Sequence, residues 1–213
     1  MKKNSYLAMY KFKVSQLSTG GFDNNFSYLI CEEASGDIAL VDPCGDLSVV
    51  QGELVKIKNP NPKAILLTHG HLDHVSGVKD VLDFFRAPIA AHPASGIPNA
   101  SKLKDGEKIQ LGKGFIEAIY APGHTNDGII YRLSDNSAIF TGDTLFIECI
   151  GYCEAEKMFE TLKKIKKLPD SNIVYSGHNY GSVPFRSLGE EKIKNPYLQS
   201  DDLHEFKEIL NML

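Results

Sequence analysis

Apolar runs of strand length alternate with stretches of helical periodicity along most of the chain. Tyr10–Leu17, Phe26–Cys31 and Ile38–Val41 read as early strands, separated by the turn-rich stretches Thr19-Gly20-Gly21 and Ala34-Ser35-Gly36-Asp37. Asp42-Pro43 stops the third strand, and Leu47–Ile57 reads as a helix closed by Asn59-Pro60-Asn61-Pro62. Ala64–Leu67 is continuously apolar, the pattern of a buried strand. Val75, Val78, Leu82 and Phe85 then fall at helical spacing on one face. Pro88–Ala91, Lys108–Leu111, Phe115–Tyr120, Ile129–Leu133 and Ala138–Thr141 are further strand candidates. Glu154–Leu168 is the clearest helix: Met158, Phe159, Leu162 and Ile165 form its apolar stripe, with glutamates near its start and lysines near its end. Asn172–Ser176 is a last buried strand, and Asp201–Leu213 reads as a tail helix capped by Asp201 or Asp202. Strands alternating with helices in both halves predict a layered α/β architecture. Nothing in the pattern marks a linker, so the expectation is one domain over residues 1–213 with a short helical C-terminal tail.

The composition, 42% hydrophobic and 23% charged over 213 residues, suits a packed core. A net charge of −4 without a basic patch argues against a nucleic-acid partner. The run Lys163, Lys164, Lys166, Lys167 belongs to a helix end. No stretch reaches the ~18 apolar residues of a membrane span. Met1–Tyr10 has no apolar core of signal-peptide length, so the expected location is cytoplasmic. None of the four cysteines forms a C-x-x-C pair, which points to free thiols and not to a thiolate zinc site. Glu32, Glu33, Glu190 and Glu191 read as solvated surface, and Phe84, Phe85 and Ile147 as core in preference to interface. The oligomeric state is left open.

The strongest chemical signal is Thr68-His69-Gly70-His71-Leu72-Asp73-His74, with the core H-x-H-x-D-H. His69 and His71 are two apart on a loop leaving an apolar strand, so both imidazoles can face one cation. Asp73 and His74 follow where the next helix begins and can hold a second. Three more candidates each come directly after a strand, beside a glycine that permits a sharp turn: His124 in Pro122-Gly123-His124-Thr125, Asp143 in Thr141-Gly142-Asp143-Thr144, and His178 in Ser176-Gly177-His178-Asn179. Functional groups of α/β folds gather at such strand ends. Three imidazoles and a carboxylate within six residues would be costly to cluster without a metal. His92 and His204 lack this context and read as ordinary histidines. Imidazole and carboxylate donors accept zinc or iron alike.

At these motifs the sequence resembles the metallo-β-lactamase superfamily, and within it the glyoxalase II-like hydrolases and the related persulfide dioxygenases. The resemblance runs from about Phe12 to Leu198. It implies an αββα sandwich of two mixed β-sheets flanked by helices, with metals at one edge. By the family pattern His69, His71 and His124 would hold a first metal, Asp73, His74 and His178 a second, and Asp143 would bridge both. Two Zn2+ are the implied cofactor, with Fe2+ as the alternative. A metal-bound hydroxide would be the nucleophile, oriented by Asp73. Tyr180 matches a tyrosine that contacts the thiol substrate in the glyoxalase group, and Tyr152 is a second candidate substrate contact. Three features depart from the glyoxalase pattern. Gly70 stands where glyoxalase II carries a third histidine. The chain ends soon after Pro196-Tyr197-Leu198. Cys149-Ile150-Gly151-Tyr152-Cys153 lacks the basic residue expected after the bridging aspartate, and so a cationic partner for a glutathione carboxylate.

The leading expectation is hydrolysis of a thioester or related small acyl substrate, with a thiol conjugate as the candidate small-molecule partner. The alternatives are oxidation of glutathione persulfide at mononuclear iron, hydrolysis of a lactone, phosphodiester or β-lactam, and a binding module with a vestigial site. The intact ligand set argues against the last.

Overall fold

The computed structural model describes residues 11–212. Tyr10 of the first expected strand, the reading of Met1–Tyr10 and the final Leu213 of the tail helix lie outside the described residues. Among the described residues two six-stranded sheets form the frame. The first runs in sequence order: β1 (Phe12–Gly20), β2 (Asn25–Glu32), β3 (Asp37–Val41), β4 (Asn61–Leu66), β5 (Ile89–Ala91) and β6 (Ser101–Lys102). It begins antiparallel and turns parallel from β3 onward. The second comprises β7 (Lys108–Leu111), β8 (Gly114–Tyr120), β9 (Ile129–Leu133), β10 (Ala138–Gly142), β11 (Ile173–Ser176) and β12 (Arg186–Ser187), in the order β12-β11-β10-β9-β8-β7. Among the described residues only β10 and β11 pair in parallel there.

Both sheets are mixed and both are covered on their outer faces, which gives the αββα sandwich. Between the sheets, Phe26, Tyr28 and Ile30 of β2 meet Ile116, Tyr131 and Phe140 of the second sheet. Outside the first sheet, α1 (Ser48–Leu54), α2 (Leu72–Val75) and α3 (Val78–Val81) close a cluster around Val50, Val81 and Phe85. Outside the second, α4 (Ala155–Lys166), α5 (Leu188–Lys194), α6 (Pro196–Gln199) and α7 (Leu203–Met212) close another. Met158, Phe159, Leu162 and Ile165 of α4 are buried there, as their spacing predicts. Phe206 of α7 is fully buried against Phe159 and Tyr197, and the Asp202 carboxylate accepts from the Glu205 N–H near the start of α7.

The helix expected across Val75–Phe85 is two short helices. At the break the Gly77 N–H donates to the Pro43 carbonyl at 3.0 Å, and a side chain at 77 would press on that oxygen. The apolar face survives the break, because Val81 and Phe85 stay fully buried. Strands β6 and β12 and helices α5 and α6 carry no periodicity that a strand- or helix-length window detects. Two glutamates are corrected: Glu32 and Glu191 are buried. Glu191 accepts from Arg186, from the Glu148 N–H and from Asn195, so a buried charge is fully partnered. Phe85 and Ile147 are core, and the four cysteines are free thiols. Among the described residues no helix is long and apolar enough to cross a membrane.

Candidate metal centre

The two sheets are stitched together at the edge where β4, β8, β10 and β11 end. The Tyr28 hydroxyl reaches the Ser176 carbonyl. The Ile129 N–H donates to the Thr68 carbonyl at 2.7 Å, and the Phe26 N–H to the Gly177 carbonyl at 2.8 Å. All seven sequence candidates converge on this edge. His69 and His71 leave β4 and lead into α2, which carries Asp73 and His74. His124 follows β8, Asp143 follows β10 and His178 follows β11.

They form two adjacent groups, His69, His71, His124 and Asp143 in one, Asp73, His74 and His178 in the other, with the ligand atoms of each group within 4.8 Å of one another. Asp143 faces both. Its Oδ2 is 3.6 Å from His124 Nε2 and 3.2 Å from His178 Nε2, and its Oδ1 is 3.2 Å from His74 Nε2.

Most of the imidazoles are fixed by a bond at Nδ1. His74 Nδ1 donates to Asp42 Oδ2 at 3.0 Å, His124 Nδ1 to the Tyr152 carbonyl at 2.8 Å, and His178 Nδ1 to the Asp23 carbonyl at 2.7 Å. The Thr68 hydroxyl gives its only proton to Asp42 at 2.6 Å, so it accepts from His69 Nδ1 at 3.1 Å. Four histidines therefore keep the Nε2 lone pair for the centre, the arrangement that fixes tautomer and ring orientation at metal sites. His71 is turned the other way, its Nδ1 lying 3.1 Å from His124 Nε2.

These atoms fit a metal. His69 Nε2 is buried and has no hydrogen-bond partner, a costly state for a polar atom unless something positive faces it. Zinc–nitrogen bonds of 2.0–2.1 Å put tetrahedral ligands about 3.3 Å apart. The His71–His124 and His74–His178 nitrogen pairs stand at 3.1 and 3.2 Å. The donor set, imidazole and carboxylate without thiolate, suits zinc or iron.

Charge is distributed to match. Burial pushes His69 down to about 3, helped by repulsion from His74. Burial also opposes charge on His74, but bonds to Asp143, Asp42 and Asp73 outweigh it and raise its pKa well above the usual value. His178 is raised against burial by Asp143. Asp143 is held far below the carboxylate range, the bonds from His178 and His74 overriding burial, and Asp73 is held low by His74 first.

Glycines make the approach possible. A Cβ at 177 would sit 2.4 Å from Asp143 Oδ1 and 2.6 Å from His74 Cε1. At Gly70 a Cβ would be 3.1 Å from Asp127 Oδ2 and from the Ser95 carbonyl, so this backbone has little room for a histidine there. Tyr180 stacks on His178, with centroids 4.8 Å apart and planes at 3°, and its hydroxyl donates to Asp23. Tyr152 sends its side chain into solvent and serves His124 through its carbonyl. His92 stacks on Tyr120 and His204 is exposed, both away from the centre.

A family model for the metallo-beta-lactamase superfamily matches residues 20–178. The chain belongs to that superfamily. Among relatives of this superfamily member, it is 32% identical over 194 residues to the Bacillus subtilis strain 168 protein named probable polyketide biosynthesis zinc-dependent hydrolase PksB, covering 85% of each chain. It is 34% identical to the hydroxyacylglutathione hydrolase of Rhodopseudomonas palustris strain BisA53, covering 84% of this chain and 71% of the relative. The crystal structure of ETHE1 from Myxococcus xanthus superposes with a TM-score of 0.78 at 26% identity, covering 93% of this chain and 90% of the other. The superfamily and these hydrolase relatives support a metallo-hydrolase.

Four supporting residues escaped the sequence reading: Asp42, Thr68, Asn25 and Asp23. Asn25 Nδ2 donates to Asp73 Oδ2 at 3.0 Å, and Asp42 takes three bonds at the base of the centre. Asp42 had a legible signal, since it too is a polar residue directly after an apolar strand. Asp23 acts from the β1–β2 turn and Asn25 from the first position of β2, with no comparable mark.

Proposed function

We propose that the protein hydrolyses a thioester of a small acid at a dinuclear centre, with zinc as the resident metal and iron as its alternative. The observation that carries this reading is the pair of ligand groups sharing Asp143, with four Nε2 atoms committed to the centre by bonds at Nδ1. His69, His71 and His124 would hold one ion, Asp73, His74 and His178 the other, and Asp143 would face both. Metals there would supply Lewis acidity to a carbonyl oxygen and acidify water to near neutrality. Asp73, more open to solvent than Asp143, is placed to take a hydrogen bond from the attacking water and orient it. Asn25 keeps that carboxylate aimed. Tyr180, with its phenol pKa raised by burial and by Asp23, stays protonated and offers its ring edge to the thiol half of the substrate. Tyr152 is placed to contact substrate beside His124. The chain needs no serine or cysteine nucleophile.

The thioester assignment draws on the likeness to a hydroxyacylglutathione hydrolase, and the zinc assignment on the likeness to a zinc-dependent hydrolase. Gly70 favours a second reading, oxidation of a thiol persulfide at iron. Metal analysis with a thioester and persulfide panel separates them. Two metals per chain, thioester turnover that is lost on chelation and in Asp143→Ala, and no oxygen uptake on glutathione persulfide are expected. One iron per chain with oxygen uptake would refute the hydrolytic reading. Turnover confined to a lactone, phosphodiester or β-lactam would place the enzyme in another hydrolase class.

A further inference from the structure

We infer that the centre selects thioesters whose thiol half carries no anionic group and whose acyl half is apolar, in place of glutathione conjugates. This rests on the thioester reading above and adds the substrate class. The mouth of the centre is apolar: Leu72, between His71 and Asp73, is 67% exposed, Phe22 beside Asp23 is 72% exposed, and Tyr152 is 94% exposed. Large apolar groups left in water at the rim of a functional cleft are what an apolar ligand would cover.

The charge around the mouth is acidic. A groove of ≈ 350 Å³ beside His124 is walled by Thr125, Asn126, Tyr152, Cys153 and Glu154. On the other flank, between the β1–β2 turn and the end of α2, a cleft of ≈ 530 Å³ is walled by Phe22, Leu47, Ser76, Asp46 and Asp80 among others. Among the described residues no lysine or arginine lines either. Two cations of the chain are engaged by its own groups: Lys157 Nζ donates to Glu154 at 2.7 Å and Asn126 at 2.9 Å, and Arg186 donates to Glu148 at 2.9 Å and the buried Glu191 at 3.1 Å. A glutathione conjugate brings two carboxylates, which such sites ordinarily meet with forked or clustered cations. Here they would face Glu154 or Asp46 and Asp80, and like-charge juxtaposition selects against a ligand. A neutral thiol half meets no such penalty.

The test uses the zinc-loaded protein. Phenylacetyl thioesters of N-acetylcysteamine and of glutathione share one acyl group and differ in the thiol half. The neutral ester should be turned over with at least tenfold higher kcat/KM, and equal or better turnover of the glutathione ester overturns the inference. Acetyl-N-acetylcysteamine should be the poorer of the two neutral esters by a similar factor, and parity removes the apolar-acyl part. Calorimetric binding of the unreactive thioethers S-benzyl-N-acetylcysteamine and S-benzylglutathione gives a second readout, with the neutral one expected to bind tighter. Tyr152→Arg changes an exposed side chain, leaves its carbonyl in place, and should raise the glutathione-to-neutral kcat/KM ratio at least threefold. An unmoved ratio refutes the groove assignment. If neither ester is hydrolysed, the thioester reading fails, and the binding order of the thioethers decides the charge preference on its own.

Discussion

Asp42 offers the sharpest test of how the centre is held. Its carboxylate is buried and accepts from the Thr68 N–H at 2.8 Å, the Thr68 hydroxyl at 2.6 Å and His74 Nδ1 at 3.0 Å. Its φ of +46° is left-handed, which an asparagine tolerates and an alanine resists. Asp42→Ala would orphan at least the Thr68 N–H and His74 Nδ1, at roughly 1–3 kcal/mol each, and would add backbone strain. Asp42→Asn is the more informative change. It keeps shape and conformation, but in either orientation its amide NH2 must face a group that now donates. With the NH2 toward His74, the imidazole must accept at Nδ1 and carry its proton on Nε2, the nitrogen aimed at His178 and Asp143. With the NH2 toward the Thr68 backbone, two N–H groups collide at the end of β4. Loss of such a support weakens metal affinity typically by about 10–100-fold, or about 1.4–2.7 kcal/mol. Titration of the metal-free protein with zinc against a chromogenic chelator should show one of the two equivalents weakened by that factor in Asp42→Asn. Thermal melting of the same sample establishes that the variant is folded. Two equivalents bound with wild-type affinity would refute the claim that Asp42 sets the His74 tautomer.

Other outcomes follow from the same geometry. Gly177→Ala forces a Cβ to within 2.4 Å of Asp143 Oδ1, and an overpacked site of this kind costs about 1–3 kcal/mol. Metal affinity should fall with stability, and a variant with native zinc affinity would show that the segment yields freely. Metal-free and metal-loaded protein should have opposite pH slopes. His74 and His178 have pKa values raised by folding, so their contribution is complete below about pH 6.5 and is lost as pH rises through the folded values. Metal binding needs those rings neutral and strengthens with pH. Melting curves with chelator should therefore drop from pH 6.5 to 9 while those with zinc do not, and parallel curves would count against the assignment. Phe206→Ala removes a fully buried ring from between Phe159 and Tyr197. It should cost roughly 3–5 kcal/mol in equilibrium denaturation, and a loss under 1 kcal/mol would mean that α7 contributes little to the fold.

The sequence was most legible where one local rule sufficed. Apolar runs located ten of the strands because burial on both faces leaves a continuous hydrophobic signature, as in β4 and β10, whose final residues are all buried. The H-x-H-x-D-H run past β4 located four of the seven candidate ligands, and glycine-flanked polar residues just past later runs located the other three. What escaped depends on contacts remote in sequence. Strands β6 and β12 are two residues long and exist only by pairing with β5 and β11. Glu191 is indistinguishable from Glu190 along the chain, yet one is sealed against Arg186 and the other is in water. Gly77 looked harmless inside a helical pattern, and its break is caused by the Pro43 carbonyl more than thirty residues away.

The same remoteness explains why the centre is already organised by the protein frame. Three of the Nδ1 bonds reach distant parts of the chain, Asp42 after β3, Asp23 in the β1–β2 turn and Tyr152 in the loop before α4, while His69 is held by its neighbour Thr68, itself bonded to Asp42. None of these partners is itself a metal-ligand candidate, so ring orientation is fixed by packing of the two sheets and not by the ion. Fixing the rings costs conformational entropy when the sheets close, a charge then absent when metal arrives. A centre whose rings were ordered only by the ion would bear that cost in its affinity. The hydrogen-bond pattern places it in folding, which is why the decisive perturbation lies at Asp42, one step behind the ligands.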